Sequence, residues 1–211
     1  MEVQMDKRVE RGLRSRRVIL DRAMDIASVE GLENLSVRRL ATDLAVSKSG
    51  VFAQFGSKEE LQLATVRAAV EVFVGKVVKP ALRAPAGIRR VWALSEAWLH
   101  YVREPVFPGG CFFSGAAAEF DARPGRVRDA IAAARRDWQK LYASSIAEAV
   151  ALGEIVSEVE PALLAFELDA ISRAGAEDAL LYDDDTIYER TREIIRGRLQ
   201  SIVTDAAPVF G

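Results

Sequence analysis

Between Ser36 and Leu61 the apolar residues fall into two short helical registers separated by a break too tight for an ordinary loop. Val37, Leu40, Ala41 and Leu44 recur at i, i+3, i+4 and i+7, the spacing that lays one stripe along a helix. Ser36 stands just before the stripe, where its hydroxyl can cap the orphan amides of the first turn. The break is Ala45-Val46-Ser47, with Ser47 placed to cap a second short helix. Val51 and Phe55 form that helix's expected buried side, while Lys48, Ser49, Gly50, Phe52 and Gln54 are left for other contacts. Ser57-Lys58-Glu59-Glu60 reads as a capping box opening a further helix near Lys58. Two helices joined by so short a turn form a helix-turn-helix, whose second helix has the width of the DNA major groove.

The same helical period continues on both sides of this stretch. Leu13 to Glu30 is predicted to be a helix with Ile19, Ala23, Ile26 and Ala27 on one face, closed by Gly31. Lys58 to about Val78 carries Leu61, Ala64, Ala68 and Val72 at helical spacing. Pro80 and Pro85 break the pattern, and Ile88 to Arg103 resumes it. The run Glu104 to Gly110 holds two prolines and two glycines and cannot be helix interior. Further helices are expected over Cys111–Asp121, Arg126–Gly153, from Pro161 to near Leu181, and from the Asp183-Asp184-Asp185 run to about Val203. Those three aspartates stand where they would cap a helix and favour its dipole. No alternating strand pattern occurs, so the expected fold class is all-α, with about nine helices. Residues 1–12 read as a basic arm, 13–74 as the head bearing the helix-turn-helix at 36–55, and 75–211 as a larger helical domain.

Composition narrows the function. A chain with 50% hydrophobic and 28% charged residues can bury a substantial core. It holds no apolar run long enough to span a membrane, and its charged beginning lacks a signal peptide's apolar region. The single cysteine, Cys111, forms no internal disulfide and suits the cytoplasm. One His and one Cys, with no phosphate-binding glycine loop, leave little for an enzyme to work with, and no cofactor or metal is expected. The net charge of −2 argues at first against nucleic acid, but its distribution argues for it. Lys7 to Arg22 holds seven basic residues against two acidic ones, and Ser36 to Lys58 holds four against Asp43 alone. Phosphate attraction follows this local footprint rather than the total.

The run Leu44 to Phe52, with Phe55 and Ser57-Lys58-Glu59-Glu60-Leu61, resembles the DNA-binding signature of the TetR family of transcriptional regulators over roughly Leu13 to Val74. Three positions depart from the family pattern. Ala45 stands where the turn commonly has Gly, Phe52 where a Tyr usually touches a phosphate, and Gln54 where His is common. Gly50 inside a helix costs about 0.5–1 kcal/mol relative to Ala, and one compensation is close approach of the backbone to a partner. The expected DNA-contacting set is Arg14, Ser36, Val37, Arg38, Ser47, Lys48, Ser49, Gly50, Phe52, Gln54 and Lys58.

The resemblance implies a homodimer on a near-palindromic double-stranded operator, acting most simply as a repressor. It places the dimer surface on the last two helices, where the expected seam is Leu164, Leu168, Ile171, Ile187, Ile194, Ile195, Leu199 and Ile202. It also implies a small-molecule effector pocket in the middle helices. Their aromatics Trp92, Trp98, Tyr101, Phe107, Phe112, Phe113, Trp138 and Tyr142 are the expected lining of a site for an apolar or aromatic effector. His100, Arg103, Glu119 and Asp121 are the polar candidates beside them. A helix-turn-helix protein without an effector, and an all-α enzyme or carrier, are the competing readings.

Overall fold

The computed structural model describes the backbone of residues 7–104 and 106–210 and the side chains from residue 15 onward. The elements in order are α1 (Lys7–Glu30), α2 (Val37–Asp43), α3 (Lys48–Phe55), α4 (Lys58–Phe73), a π-helical turn (Val74–Val78), the single turn α5 (Lys79–Ala81), α6 (Ile88–Arg103), α7 (Phe112–Phe120), α8 (Arg126–Ala151), α9 (Pro161–Tyr182) and α10 (Thr186–Gln200). Among the described residues there is no strand, and β pairing is limited to an isolated bridge between Ile155 and Val203. The all-α expectation holds.

Two boundaries differ from expectation. Helix α1 begins at Lys7, not Leu13, because Lys, Arg and Glu are good helix formers and no proline interrupts them. The second half of the expected arm is therefore helical; residues 1–6 and the Arg14 side chain lie outside what the structure describes. The helix expected to run from Lys58 to Val78 changes pitch after Phe73, where the Lys79 amide reaches back to the Val74 carbonyl in a π-type turn.

The chain forms two compact units. The first joins Met1–Val70 to Phe107–Ile131, and the second joins Glu71–Val106 to Ala132–Gly211. The expected boundary at residues 74 and 75 is close to the first crossing but misses the return of α7 and the start of α8 to the head. In the first unit α1 buries Ile19, Ala23, Met24 and Ile26 with Leu40, Val51, Phe55 and Leu61. Val37 and Leu44, expected in the core, are half-buried.

The link between α1 and α2 is held by side chains from elsewhere in this unit. Glu119 of α7 accepts hydrogen bonds from the amides of Leu32 (2.7 Å) and Glu33 (3.1 Å). A side chain on Gly31, whose φ is +90°, would stand 2.7 Å from that carboxylate. Buried Gln62 donates to the Leu32 carbonyl at 3.0 Å. Lys58 binds Glu33 at 2.7 Å, and this hydrogen bond, ahead of the one from Gln62, holds the Glu33 carboxyl below the usual carboxylate range. Gly109 gives α7 its approach, since an added Cβ would lie 1.9 Å from the Ser28 carbonyl oxygen. Arg126, at the start of α8, bonds Glu60 at 2.7 Å and Glu59 at 3.2 Å on the first turn of α4. Ser57 does cap α4 by accepting from the Glu60 amide.

In the second unit, α6, α9 and α10 pack together around Val91, Leu94, Leu164, Leu168, Ile195 and Leu199. Helices α9 and α10 cross closely at Gly175, where a Cβ would lie 1.9 Å from Thr191 Oγ1. Glu154 caps α6 by accepting from the Ile88 amide at 2.7 Å. Asp184 accepts from the Thr186 amide and hydroxyl at the start of α10, so its carboxyl is lowered mainly by the hydroxyl's hydrogen bond.

This packing revises the expected dimer seam. Leu164, Leu168, Ile187, Ile195, Leu199 and Ile202 are buried inside their own chain, and Ile171 is half-buried; only Ile194 is exposed. Periodicity locates a buried stripe but not the surface that covers it, and here α6 and the two helices themselves do so. The large apolar side chains left outside on α9 are Leu163, Phe166, Leu180, Leu181 and Tyr182.

Replacing Glu119 by Ala removes two hydrogen bonds from one carboxylate. Hydrogen bonds to a charged group contribute about 1.5–3 kcal/mol each, and water at this half-buried site will recover part of that. The urea midpoint of Glu119→Ala is expected to fall by the equivalent of about 1.5–3 kcal/mol in all. Glu119→Gln, which keeps one acceptor, should fall between this variant and the parent.

Candidate nucleic-acid interface

The turn between α2 and α3 is built around Ala45. Its φ of +52° lies in the left-handed region, so the family-typical glycine position is filled by a residue that adopts the same conformation at a cost. The Val46 amide then bonds the Ala41 carbonyl (3.0 Å), and Ser47 begins α3 by accepting the Gly50 amide at 3.1 Å. At the other end Gly56, with φ +76°, closes the helix through its amide to Phe52.

Helix α3 has two distinct faces. Val51 and Phe55 point into the head, while Lys48, Ser49, Gly50, Phe52 and Ala53 are exposed and Gln54 is half-buried. The expected reading face is therefore assembled on one surface, with Ala53 as an addition. Gly50 also has an internal reason to lack a side chain, because a Cβ there would sit 3.0 Å from the capping Ser47 oxygen. Arg16 of α1 was not singled out by its position, yet it supports α3 directly. It donates to the Gln54 carbonyl at 2.6 Å, and its guanidinium lies 4.4 Å over the Phe55 ring centroid.

Among the described residues, several of the head's basic groups are held in ion pairs. Arg22 and Arg39 converge on Asp43 at 2.6 and 2.7 Å, and Arg39 also binds Glu30 at 2.8 Å. Arg17 pairs with Asp21 at 2.9 Å, and the ammonium of Lys58, expected at DNA, is held by Glu33. Arg38 and Lys48 are exposed and carry no ion pair among the described residues. Ser36 caps α2 by accepting the Arg39 amide at 3.1 Å, and Val37 begins that helix half-buried.

The aromatic residues expected around an effector are drawn from both units. Phe107, Phe112 and Phe113 belong to the first unit, where Phe112 meets its neighbours at centroid distances of 6.0 and 5.3 Å. In the second unit Phe73, which the sequence did not mark, stands edge-on to Tyr101 (5.5 Å) and Trp138 (5.2 Å), and Trp138 meets Tyr142 at 5.2 Å. Trp138 donates to the buried carboxylate of Asp169, which also receives Arg173 at 2.9 Å. Burial pushes the Tyr142 phenol up, and its hydroxyl is bonded to Ser95. Trp92 packs instead against Phe210 (6.0 Å) and under Arg192, and Trp98 is buried. A cavity of about 210 Å³ opens beside Tyr101, lined further by Lys76 of the π-turn, His100, Glu104 and Val106. Of the other polar candidates, Arg103 pairs with Glu189 at 2.7 Å, Glu119 holds the head, and Asp121 ends α7.

Residues 19–65 match the family described as bacterial regulatory proteins, tetR family, and residues 87–195 match the tetracyclin repressor-like C-terminal domain. No curated protein matches the chain in sequence. A TetR transcriptional regulator from Chloroflexus aurantiacus has the same fold at a TM-score of 0.86 and 21% identity, over 92% of this chain and 98% of that one. A TetR-family regulator from Cytophaga hutchinsonii superposes at 0.81 with 16% identity over the same shares. A putative transcriptional regulator from Saccharomonospora viridis, in complex with choline, superposes at 0.73 with 20% identity, over 90% of this chain and 98% of that one.

Ala45→Gly should remove the left-handed penalty of about 1–2 kcal/mol while adding about 0.4–1 kcal/mol of unfolded-state entropy. The net expectation is a gain of about 0.5–1 kcal/mol, read as a higher denaturation midpoint, with unchanged DNA affinity.

Proposed function

Because the chain belongs to the TetR family of bacterial transcriptional regulators, we propose that it is a cytoplasmic homodimeric repressor of a near-palindromic operator, released by a small effector. The DNA-binding regulatory role comes with the family, whose members are not enzymes. The observation that carries the more specific reading is the exposed outer face of α3, stiffly backed by Val51, Phe55 and Arg16. An eight-residue helix with Arg38 and Lys48 as the unpaired cations beside it among the described residues offers one chain a small contact, which a second copy doubles. The exposed apolar line Leu163, Phe166, Ala174 and Leu181 along α9, with Ile194 on α10, supports that dimer. No helix among the described residues is long and apolar enough to cross a membrane.

Support for an effector is the cavity beside Tyr101 and the choline-bound regulator of the same architecture. At about 210 Å³ the cavity is below the roughly 300–1,000 Å³ of sites for drug-sized ligands, which favours a compound of about one ring. Such a ligand lowers DNA affinity only through its different affinity for the DNA-competent and released conformations. Its wall contains the π-turn that continues α4, the helix that leads out of the head.

Selection from random duplexes is expected to enrich an inverted repeat with half-sites about 34–36 Å apart. Lys48→Ala should weaken binding and flatten its log–log salt dependence by about 0.9 for each phosphate no longer neutralised, twice that for a dimer. Phe166→Arg should sediment as a monomer and lose operator binding. Absence of an enriched motif, or a Phe166→Arg protein that stays dimeric, contradicts the respective part of the reading.

For the effector, tryptophan fluorescence should identify single-ring compounds that weaken operator binding about 5- to 150-fold, the range of a coupling of about 1–3 kcal/mol. Compounds that bind yet leave operator affinity within twofold would make the cavity irrelevant to release.

A further inference from the structure

Phe52 is the large apolar group on the outer face of α3, with 55% of its surface exposed. Its neighbours one turn away on that face are Lys48, Ser49 and Gly56, and the adjacent Ala53 is exposed as well. Lys48 is the one long side chain among these, so a groove wall or base edge meeting the middle of the helix meets the phenyl ring. Gly56 has nothing within 4 Å of where a side chain would begin, so the end of α3 is uncrowded there. Val51 and Phe55, buried on the opposite face, pack α3 into the head.

We infer that Phe52 reads the C5-methyl group of a thymine in each half-site. The inference rests on the DNA-binding reading of α3 and adds which atom is recognised. A phenyl ring has no hydroxyl with which to donate to a phosphate, so a backbone contact of the hydrogen-bonding kind is closed to it. In duplex DNA the base faces are stacked and covered and the sugar walls are alike for every base, so the ring can read sequence only at the base edges. Of the groups displayed in the major groove, all are donors or acceptors except the thymine methyl. Setting the ring on a donor or acceptor would desolvate that group without replacing its hydrogen bond. Setting it on the methyl removes apolar surface from water on both partners. Of the small residues around Phe52, Ala53 and Gly56 carry no hydrogen-bonding side chain, and the Ser49 hydroxyl donates to Ser47 at 3.2 Å.

The test uses the full chain and the operator enriched by selection. Each thymine of a half-site is replaced in turn by deoxyuridine, which keeps the base pair and deletes only the methyl. Wild type should lose about fourfold at one position, the equivalent of one buried methyl-sized group, and about 15-fold when both half-sites are changed. Phe52→Ala should be insensitive to the same replacement, whereas Phe52→Leu should keep most of the sensitivity. At that position cytosine should bind worse than 5-methylcytosine, because the methyl returns without the thymine hydrogen-bonding pattern. Deoxyuridine tolerated within twofold at every thymine overturns the inference while leaving DNA binding by α3 intact. So does a sensitivity that persists unchanged in Phe52→Ala. If selection enriches no motif at all, the inference and the DNA-binding reading of α3 fall together.

Discussion

The head depends on how the backbone between α1 and α2 finds its hydrogen bonds. After Gly31 the chain leaves the helix, and the amides of Leu32 and Glu33 would be unsatisfied beside a packed core. Glu119, more than eighty residues away in sequence, accepts both, and Gln62 takes the Leu32 carbonyl. This fixes where α2 starts, hence the turn at Ala45 and the direction of α3. The recognition surface is thus set by a carboxylate that lies outside the helix-turn-helix, on a helix that contributes no residue to it.

Electrostatics in the head serve construction first. Asp43 gathers Arg22 and Arg39, Glu33 holds Lys58, and Arg16 is engaged at the end of α3. Among the described residues, Arg38, Lys48 and the Phe52 ring remain facing outward.

The larger unit shows how one periodic signal serves two outcomes. The stripes of α9 and α10 are consumed by packing within the chain, with Gly175 allowing the helices to approach. The aromatic residues likewise divide: rings that look alike in sequence belong to different units, and in the second Phe73 stands edge-on to Tyr101 and Trp138. A small polar-rimmed cavity opens beside Tyr101.

Local physics determined a good deal from the sequence alone. Helical periodicity, the serine caps at Ser36, Ser47 and Ser57, and the breaks at proline and glycine act within a few residues, so they were legible without the tertiary structure. The inward and outward faces of α3 followed from the same spacing. Long-range partners were not legible. Nothing near Glu119 in sequence marks it as the acceptor for the start of the α1–α2 link, and nothing near Leu164 or Leu199 says whether its cover is its own chain or another. The basic residues could be counted but not paired, because Asp43 reaches Arg22 only across the folded head. Ala45 shows both sides: the need for a tight turn was visible in the sequence, but that alanine itself takes the left-handed conformation was decided when α2 and α3 packed on either side of it.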